Sequence, residues 1–281
     1  MANATAQARA AAGVGGREVA RWIERLARLG YLAKGVVYGL VGILALRLAF
    51  GQGGETTDAQ GVLREIAGGP FGTLLLTLIG VGLLGYAAWR FVQGIKDVEG
   101  QGDETEGIVK RAGYVGSGVI HGALAFTALN LAWGSGSGSG SGGSQGITAE
   151  LLGRSWGVWL VGLVGLITIA VGLYQFYLGY QVLFKKHWNT GAMSRTQELW
   201  ATRAGRAGLM ARGVVFVMMG WFFLQAARQS DPSEARGLDG ALTELLSQTH
   251  GTWLLALVAA GLVCYAVYCF VQARFRHFRV R

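Results

Sequence analysis

One set of landmarks occurs three times along the chain, and this repetition limits the fold more than any local motif does. The first copy runs Arg28, Gly30, Gly35, an apolar stretch, Gly61, Glu65, Gly72, a second apolar stretch, then Tyr86, Trp89 and Gln93. The second reads Arg111, Gly113, Gly118, Gly146, Glu150, Gly157, Tyr174, Tyr177, Gln181, and the third Arg206, Gly208, Gly213, Gly240, Glu244, Gly251, Tyr265, Tyr268, Gln272. In every copy Gly to Glu covers four residues, Gly to Gly eleven and Tyr to Gln seven, so only the connecting loops vary. A unit with two apolar stretches has been repeated, and its copies are expected to fold alike.

Those stretches lie at about 30–50, 72–95, 113–133, 157–183, 208–227 and 252–273, each near the ~20 residues that cross ~30 Å of hydrocarbon. Only 15% of the residues are charged and 52% are apolar, against roughly a quarter charged in a soluble domain. Isolated apolar spans must satisfy their backbone internally, which leaves helices. The fold class expected is therefore an all-α membrane protein, with six transmembrane helices arranged as three tandem hairpins with pseudo-threefold symmetry. An even number of spans per copy makes the copies parallel. The divisions expected are a disordered tail over 1–16, repeat 1 over 17–100, repeat 2 over 101–190 with a Gly/Ser loop at 134–143, and repeat 3 over 191–281.

The formal charge of +9 is a matter of topology rather than nucleic-acid binding. One side of the spans collects Arg17, Arg21, Arg25, Arg28, Lys96, Lys110, Arg111, Lys185, Lys186, Arg195, Arg203, Arg206, Arg274, Arg276, Arg279 and Arg281, while the other holds mainly Arg64, Arg154 and Arg236. By the positive-inside rule both termini are expected in the cytoplasm, with the lipid bilayer as the first partner and no nucleic acid. A membrane-protein partner or a homo-oligomer is compatible with the same surface. No cleavable signal is read before the first span, which is expected to direct insertion itself. Cys264 and Cys269, five residues apart on one span, point to different helix faces and form neither a disulfide nor a chelating pair.

From Arg17 to Leu29, Val19, Trp22, Ile23 and Leu26 recur at helical spacing opposite Arg17, Arg21, Arg25 and Arg28, which predicts an amphipathic helix on the bilayer surface. Trp200, Arg203 and Arg206 repeat that lead-in before Gly208. The second copy has an acidic run, Asp103, Glu104 and Glu106, and a solvated loop is expected there. Gly35 with Gly39, and Gly118 with Gly122, are small-xxx-small pairs that favour close helix approach, expected within the first two hairpins. Each copy also predicts a short amphipathic helical piece at the outer interface, around Glu65, Glu150 and Glu244, with Trp156, Trp159 and Trp253 in an aromatic belt.

Several polar positions have two readings. Glu65, Glu150 and Glu244 can ring an outer vestibule that attracts cations, or can cap their interfacial helices and pair with Arg64 or Arg154. Gln93, Gln181 and Gln272 share a face with the two aromatic residues of each stripe, and stand for interhelical hydrogen bonding or for a polar lumen. His121 is well inside a span and is either a hydrogen-bonded core residue or a proton relay; a haem or zinc site lacks further ligands, and no metal or other cofactor is expected. Lys34 and Arg212 sit near the basic boundary and are expected to snorkel to headgroups. Arg90 either snorkels or meets an interior partner. Arg28, Arg111 and Arg206 mark the repeat starts. No triad, P-loop, HExxH or dinucleotide glycine pattern has its required flanks, so no enzyme is expected.

The segments Arg-x-Gly-Tyr-x-x-[Lys/Ser]-Gly at 28–35 and 111–118, Arg-x-Gly-Leu-Met-Ala-Arg-Gly at 206–213, and Gly-x-x-x-Glu before each even span resemble the bacterial membrane family catalogued as domain of unknown function 1206. The resemblance implies three tandem hairpins in a bacterial plasma membrane and brings no catalytic residues. The function expected is a non-enzymatic scaffold or accessory subunit that packs through Gly-rich helix faces. The alternative is small-solute or cation passage along the pseudo-threefold axis.

Overall fold

The computed structural model describes residues 2–134, 144–154 and 156–277, and the side chains of these except for 2–20 and 144. Nine α-helices are present among the described residues: α1 (Ala2–Ala49), α2 (Ala59–Gly68), α3 (Gly72–Lys96), α4 (Thr105–Trp133), α5 (Ser144–Leu152), α6 (Gly157–Tyr180), α7 (Arg195–Gln229), α8 (Leu238–Ser247) and α9 (Gly251–Phe275). Six are long and apolar enough to cross a membrane: α1 from Arg21, α3, α4, α6, α7 and α9. The chain is thus an all-helical, multi-pass membrane protein of three repeated two-span units. Most of the Gly/Ser loop lies outside the described residues.

The lead-in segments are not separate elements. α1 is continuous from Ala2, so the backbone expected as a tail and the surface helix expected over 17–29 both belong to it; the Ala-rich start has strong helix propensity without apolar bulk. α7 begins at a capping box in which Ser194 and Gln197 satisfy each other's backbone N–H groups. Trp22 and Trp200 are both exposed and stack with Arg25 and Arg203 at 5.5 and 5.2 Å.

The spans pack in a row whose spatial order is α4, α3, α1, α9, α7, α6. Three of these contacts join different units: α3 with α4, α6 with α7, and α9 with α1. Two join the helices of one unit, α1 with α3 and α7 with α9. The corresponding pair in the second unit, α4 and α6, has no packing interface of its own among the described residues. The ring implied by threefold repetition is therefore open at one place.

Glycines show which faces meet. A Cβ on Gly35 would lie 2.5 Å from the Phe270 ring, one on Gly118 3.1 Å from Phe91, and one on Gly213 3.0 Å from Phe176. These positions serve the contacts between units. The small-residue face expected inside the first two hairpins is thus used against the neighbouring unit; in the first and third units the hairpin contact is made by the other glycine, at the start of the copy. Gly30 meets Tyr86 and Gly208 meets the Tyr265 backbone, each within 2.5 Å of an added Cβ, whereas around Gly113 there is open space.

The short helices α2, α5 and α8 cover the end opposite the Arg-x-Gly motifs. α2 starts at Asp58, whose carboxylate accepts from Gly61 N at 2.8 Å. Val62 and Leu63 of α2 and Ala241, Leu242 and Leu245 of α8 are buried in the apolar core between the spans.

Candidate functional site: a cationic core and its polar floor

Sequence position alone puts Lys34, Arg90 and Arg212 near the basic ends of their spans, but the structure turns all three inward. Lys34 is only 3% exposed, and its Nζ donates to Tyr86 Oη at 3.2 Å. Arg90 donates to the same oxygen at 2.6 and 2.8 Å and to Gln93 Oε1 at 3.1 Å. Arg212 donates to Tyr38 Oη, Tyr265 Oη and Gln175 Oε1 at 3.3, 3.0 and 3.1 Å. Snorkelling is thus overturned for Lys34 and Arg212, because one turn inside the span tyrosines from three neighbouring helices offer oxygens and ring faces.

The rings hold these cations close together. Lys34 Nζ and Arg212 Cζ stand 5.5 and 4.9 Å from the centre of the Tyr265 ring; Lys34 Nζ and Arg90 Cζ stand 4.8 and 5.0 Å from that of Tyr86. Among the described residues no carboxylate lies within ion-pair distance of any of the three. Two like charges ~10 Å apart at an effective dielectric of ~20 repel by ~1.7 kcal/mol. Each cation–π contact returns about 0.5–2 kcal/mol. The site is thus tolerable but electrically unbalanced.

His121 closes one side of this core. Its ring lies 4.7 Å from that of Tyr86, and Nδ1 is 2.8 Å from Ser117 O, a carbonyl that can only accept. Nδ1 therefore carries the proton in this geometry, as the hydrogen-bonded core reading expects. On the other side, Gln175 of α6 is 4% exposed; its Oε1 serves Arg212, while its Nε2 has no hydrogen-bond partner.

Below the cations, toward the Arg-x-Gly end, the three units are tied by one carboxylate. Glu99, after α3, accepts from Gln93 Nε2 at 2.6 Å, from Tyr114 Oη at 2.8 Å and from Arg276, which also donates to Tyr31 Oη at 3.0 Å. His187, before α7, lies 3.9 Å away. Burial works to raise the Glu99 carboxyl, but the charge of Arg276, with His187, Tyr114 and Arg90, holds it down at about 2. Burial and then the Arg276 charge push His187 down to about 4 despite Glu99. Arg276 is raised, Tyr31 and Glu99 outweighing its burial. The C-terminal residues are fixed here by backbone bonds, Asn189 N to Phe275 O at 2.8 Å and His277 N to His187 O at 2.9 Å.

The repeated motif residues divide unevenly. Arg28 donates to Ala273 O and Arg274 O at 2.6 and 2.9 Å, so it caps the last helix of the third unit. Arg111 does the same for α3, through Gly94 O and Ile95 O at 2.9 and 3.3 Å. Arg206 is exposed. Gln93 and Gln272 are buried and paired, the latter with Trp188 Nε1 at 3.2 Å and Tyr268 Oη at 2.6 Å, but Gln181 is exposed at the end of α6.

Glu65, Glu150 and Glu244 each occupy the seventh residue of their short helix rather than its start. Glu150 lies 3.9 Å from Arg154, and Glu244 takes Arg236 at 3.3 Å and Gln248 at 2.8 Å. Glu65 borders an open groove of about 780 Å³ together with Arg47, Arg64 and Asp239, which Glu150 and Glu244 do not line. Glu150 and Glu244 thus serve local contacts, while Glu65 lies at the groove edge. Sequence reading missed the cationic core because depth was judged along each helix separately; the cross-repeat tyrosines at 38, 86 and 265 were the available signal.

A family model described as Domain of Unknown Function (DUF1206) matches residues 29–97, 112–181 and 207–276. The chain is 37% identical over 261 residues, 93% of this chain and 94% of the relative, to a Bacillus subtilis (strain 168) protein described as "Uncharacterized protein YxxB". No solved structure matches significantly.

Proposed function

From a chain that belongs to the family described as Domain of Unknown Function (DUF1206), we propose a non-enzymatic membrane scaffold that associates with a second copy of itself through its open second unit. The observation that carries this is a set of positions buried in the other two units and exposed in this one. Ala33, Val37, Tyr86 and Trp89 are buried, as are Ala211, Val215, Tyr265 and Tyr268, while Gly116, Ile120, Tyr174 and Tyr177 are exposed.

α4 therefore presents a face that an even-numbered span covers elsewhere, and α6 a face that an odd-numbered span covers. A second copy supplies both missing surfaces, α4 against the partner's α6 and α6 against the partner's α4, in one isologous contact. Apolar faces in lipid gain little from burial alone, so close packing at small residues such as Gly113 and Gly116 is the physical drive. The inward-turned charges of Lys34, Arg90 and Arg212 speak against cation passage along the axis.

The protein is read as lying in a bacterial plasma membrane with both termini cytoplasmic, supported by the charge asymmetry of its loops and the Bacillus relative. The test is disulfide crosslinking of Gly113→Cys with Tyr174→Cys, with Cys264 and Cys269 replaced by Ala. These positions correspond to Gly30 and Tyr86, which touch. A covalent dimer in native membranes is expected; crosslinking confined to single chains, or none, overturns the reading.

A further inference from the structure

We infer that the core formed by Lys34, Arg90, Arg212 and Gln175 is a binding site for a phosphate-type oxyanion, reached from the open side between α4 and α6. Three observations on independent helices converge. Lys34 of α1, Arg90 of α3 and Arg212 of α7 are drawn together by shared tyrosine rings, and among the described residues no carboxylate pairs with them. Glu99, the acid nearest in the network, is linked to Arg90 through Gln93 and Tyr114 and is already engaged by Arg276. The Gln175 amide, buried at 4% exposure, keeps an N–H₂ group without an acceptor beside Arg212.

Each feature is a cost in a closed apolar core and a contact when an oxyanion is present. Guanidinium forks suit phosphate oxygens in paired hydrogen bonds, and the ammonium adds a compact charge. Tyr86 Oη accepts from both Lys34 and Arg90, which holds the two cations at one point. Arg90 and Arg212 are only partly covered, and since α4 and α6 do not pack together, the way in is lateral. A free phosphate and the phosphodiester of an anionic lipid share this chemistry. The inference does not depend on self-association.

The test uses the full-length chain, delipidated in detergent or reconstituted in nanodiscs of zwitterionic lipid, compared with Gln175→Glu. That variant keeps the oxygen that serves Arg212, replaces the lone donor with an acceptor and installs a fixed negative charge. Titration with inorganic phosphate is followed by thermal unfolding and calorimetry, and retention of phosphatidylglycerol by native mass spectrometry. Phosphate binding that weakens tenfold or more in Gln175→Glu supports the site with a free anion as ligand. Retention of one phosphatidylglycerol by the native chain but not by the variant, without phosphate binding, supports it with a headgroup as ligand. Lys34→Gln, which leaves the Gln175 contact to Arg212 in place, should weaken the same ligand by about tenfold. Binding of neither probe, or binding that both variants leave unchanged, overturns the proposal.

Discussion

Tyr86 and Tyr174 occupy the same place in the first and second units, yet Tyr86 is 0% exposed and Tyr174 is 45% exposed. The same contrast runs along the facing helices: Val37 is buried, and its counterpart Ile120 is open. Contacts between units do not differ in this way. Gly35, Gly118 and Gly213 all seat against a phenylalanine of the adjoining unit. What triplication preserved in all three copies is thus the joint between hairpins, and the joint inside a hairpin proved dispensable in one of them. A repeat can stay in register by gripping its neighbours even where its own two halves have parted.

Four measurements break or sharpen this contrast. The largest effect belongs to Tyr86→Ala, which empties a buried ring site and removes the acceptor of Lys34 and Arg90; a loss of about 4 kcal/mol is expected. Tyr174→Ala should stay within about 0.5 kcal/mol for the detergent-solubilised monomer. Equal losses by thermal or denaturant unfolding would mean that the second hairpin is packed after all.

Next comes glycine replacement. Gly208→Leu forces a side chain into the Tyr265 backbone and should destabilise by about 3 kcal/mol, while Gly113→Leu has room and should leave the monomer unchanged. The same Gly113→Leu should reduce covalent dimer yield in the crosslinking assay.

A third test compares the equivalent positions Glu99 and His187 by pH. His187 titrates near 4 in the folded chain and near 6.5 when unfolded, so between those values the unfolded chain holds the extra proton. Stability therefore falls as pH drops from 6.5 to 4, by about 2 kcal/mol, and His187→Gln should flatten that slope. Glu99 works lower: held near 2, its contribution is present above the ordinary carboxyl value and is lost as pH falls toward 2. The groups facing this pair are Arg276, Tyr114, Arg90 and Lys186. The smallest effect separates the motif arginines, with about 1 kcal/mol lost in Arg111→Ala and no resolvable change in Arg206→Ala.

The periodic spacing made six spans, three units and their short outer helices legible, because helix length and lipid exposure are local properties of a segment. The parting of α4 from α6 is not local. A trace of it exists at Ala170 and Leu173, which carry side chains where the first unit has Gly82 and Gly85 pressed against α1. The candidate site was harder to read. Lys34, Arg90 and Arg212 each look like boundary cations in their own spans, and only the meeting of α1, α3, α7 and α9 turns them toward common rings. Gln175 has Ala87 and Ala266 as its counterparts, so repetition itself gave no reason to single it out.

The clasp of Arg28 on the carbonyls of Ala273 and Arg274 has a bearing on biogenesis. α1 is made five spans ahead of α9, its final neighbour. Until α9 has followed, the glycine-rich side of α1 waits in the bilayer unmatched, available to foreign helices or to insertion chaperones. The joint between α1 and α9 is therefore the last between units to close, and a chain shortened before Arg276 is expected to lose the link from that joint to Tyr31 and Glu99.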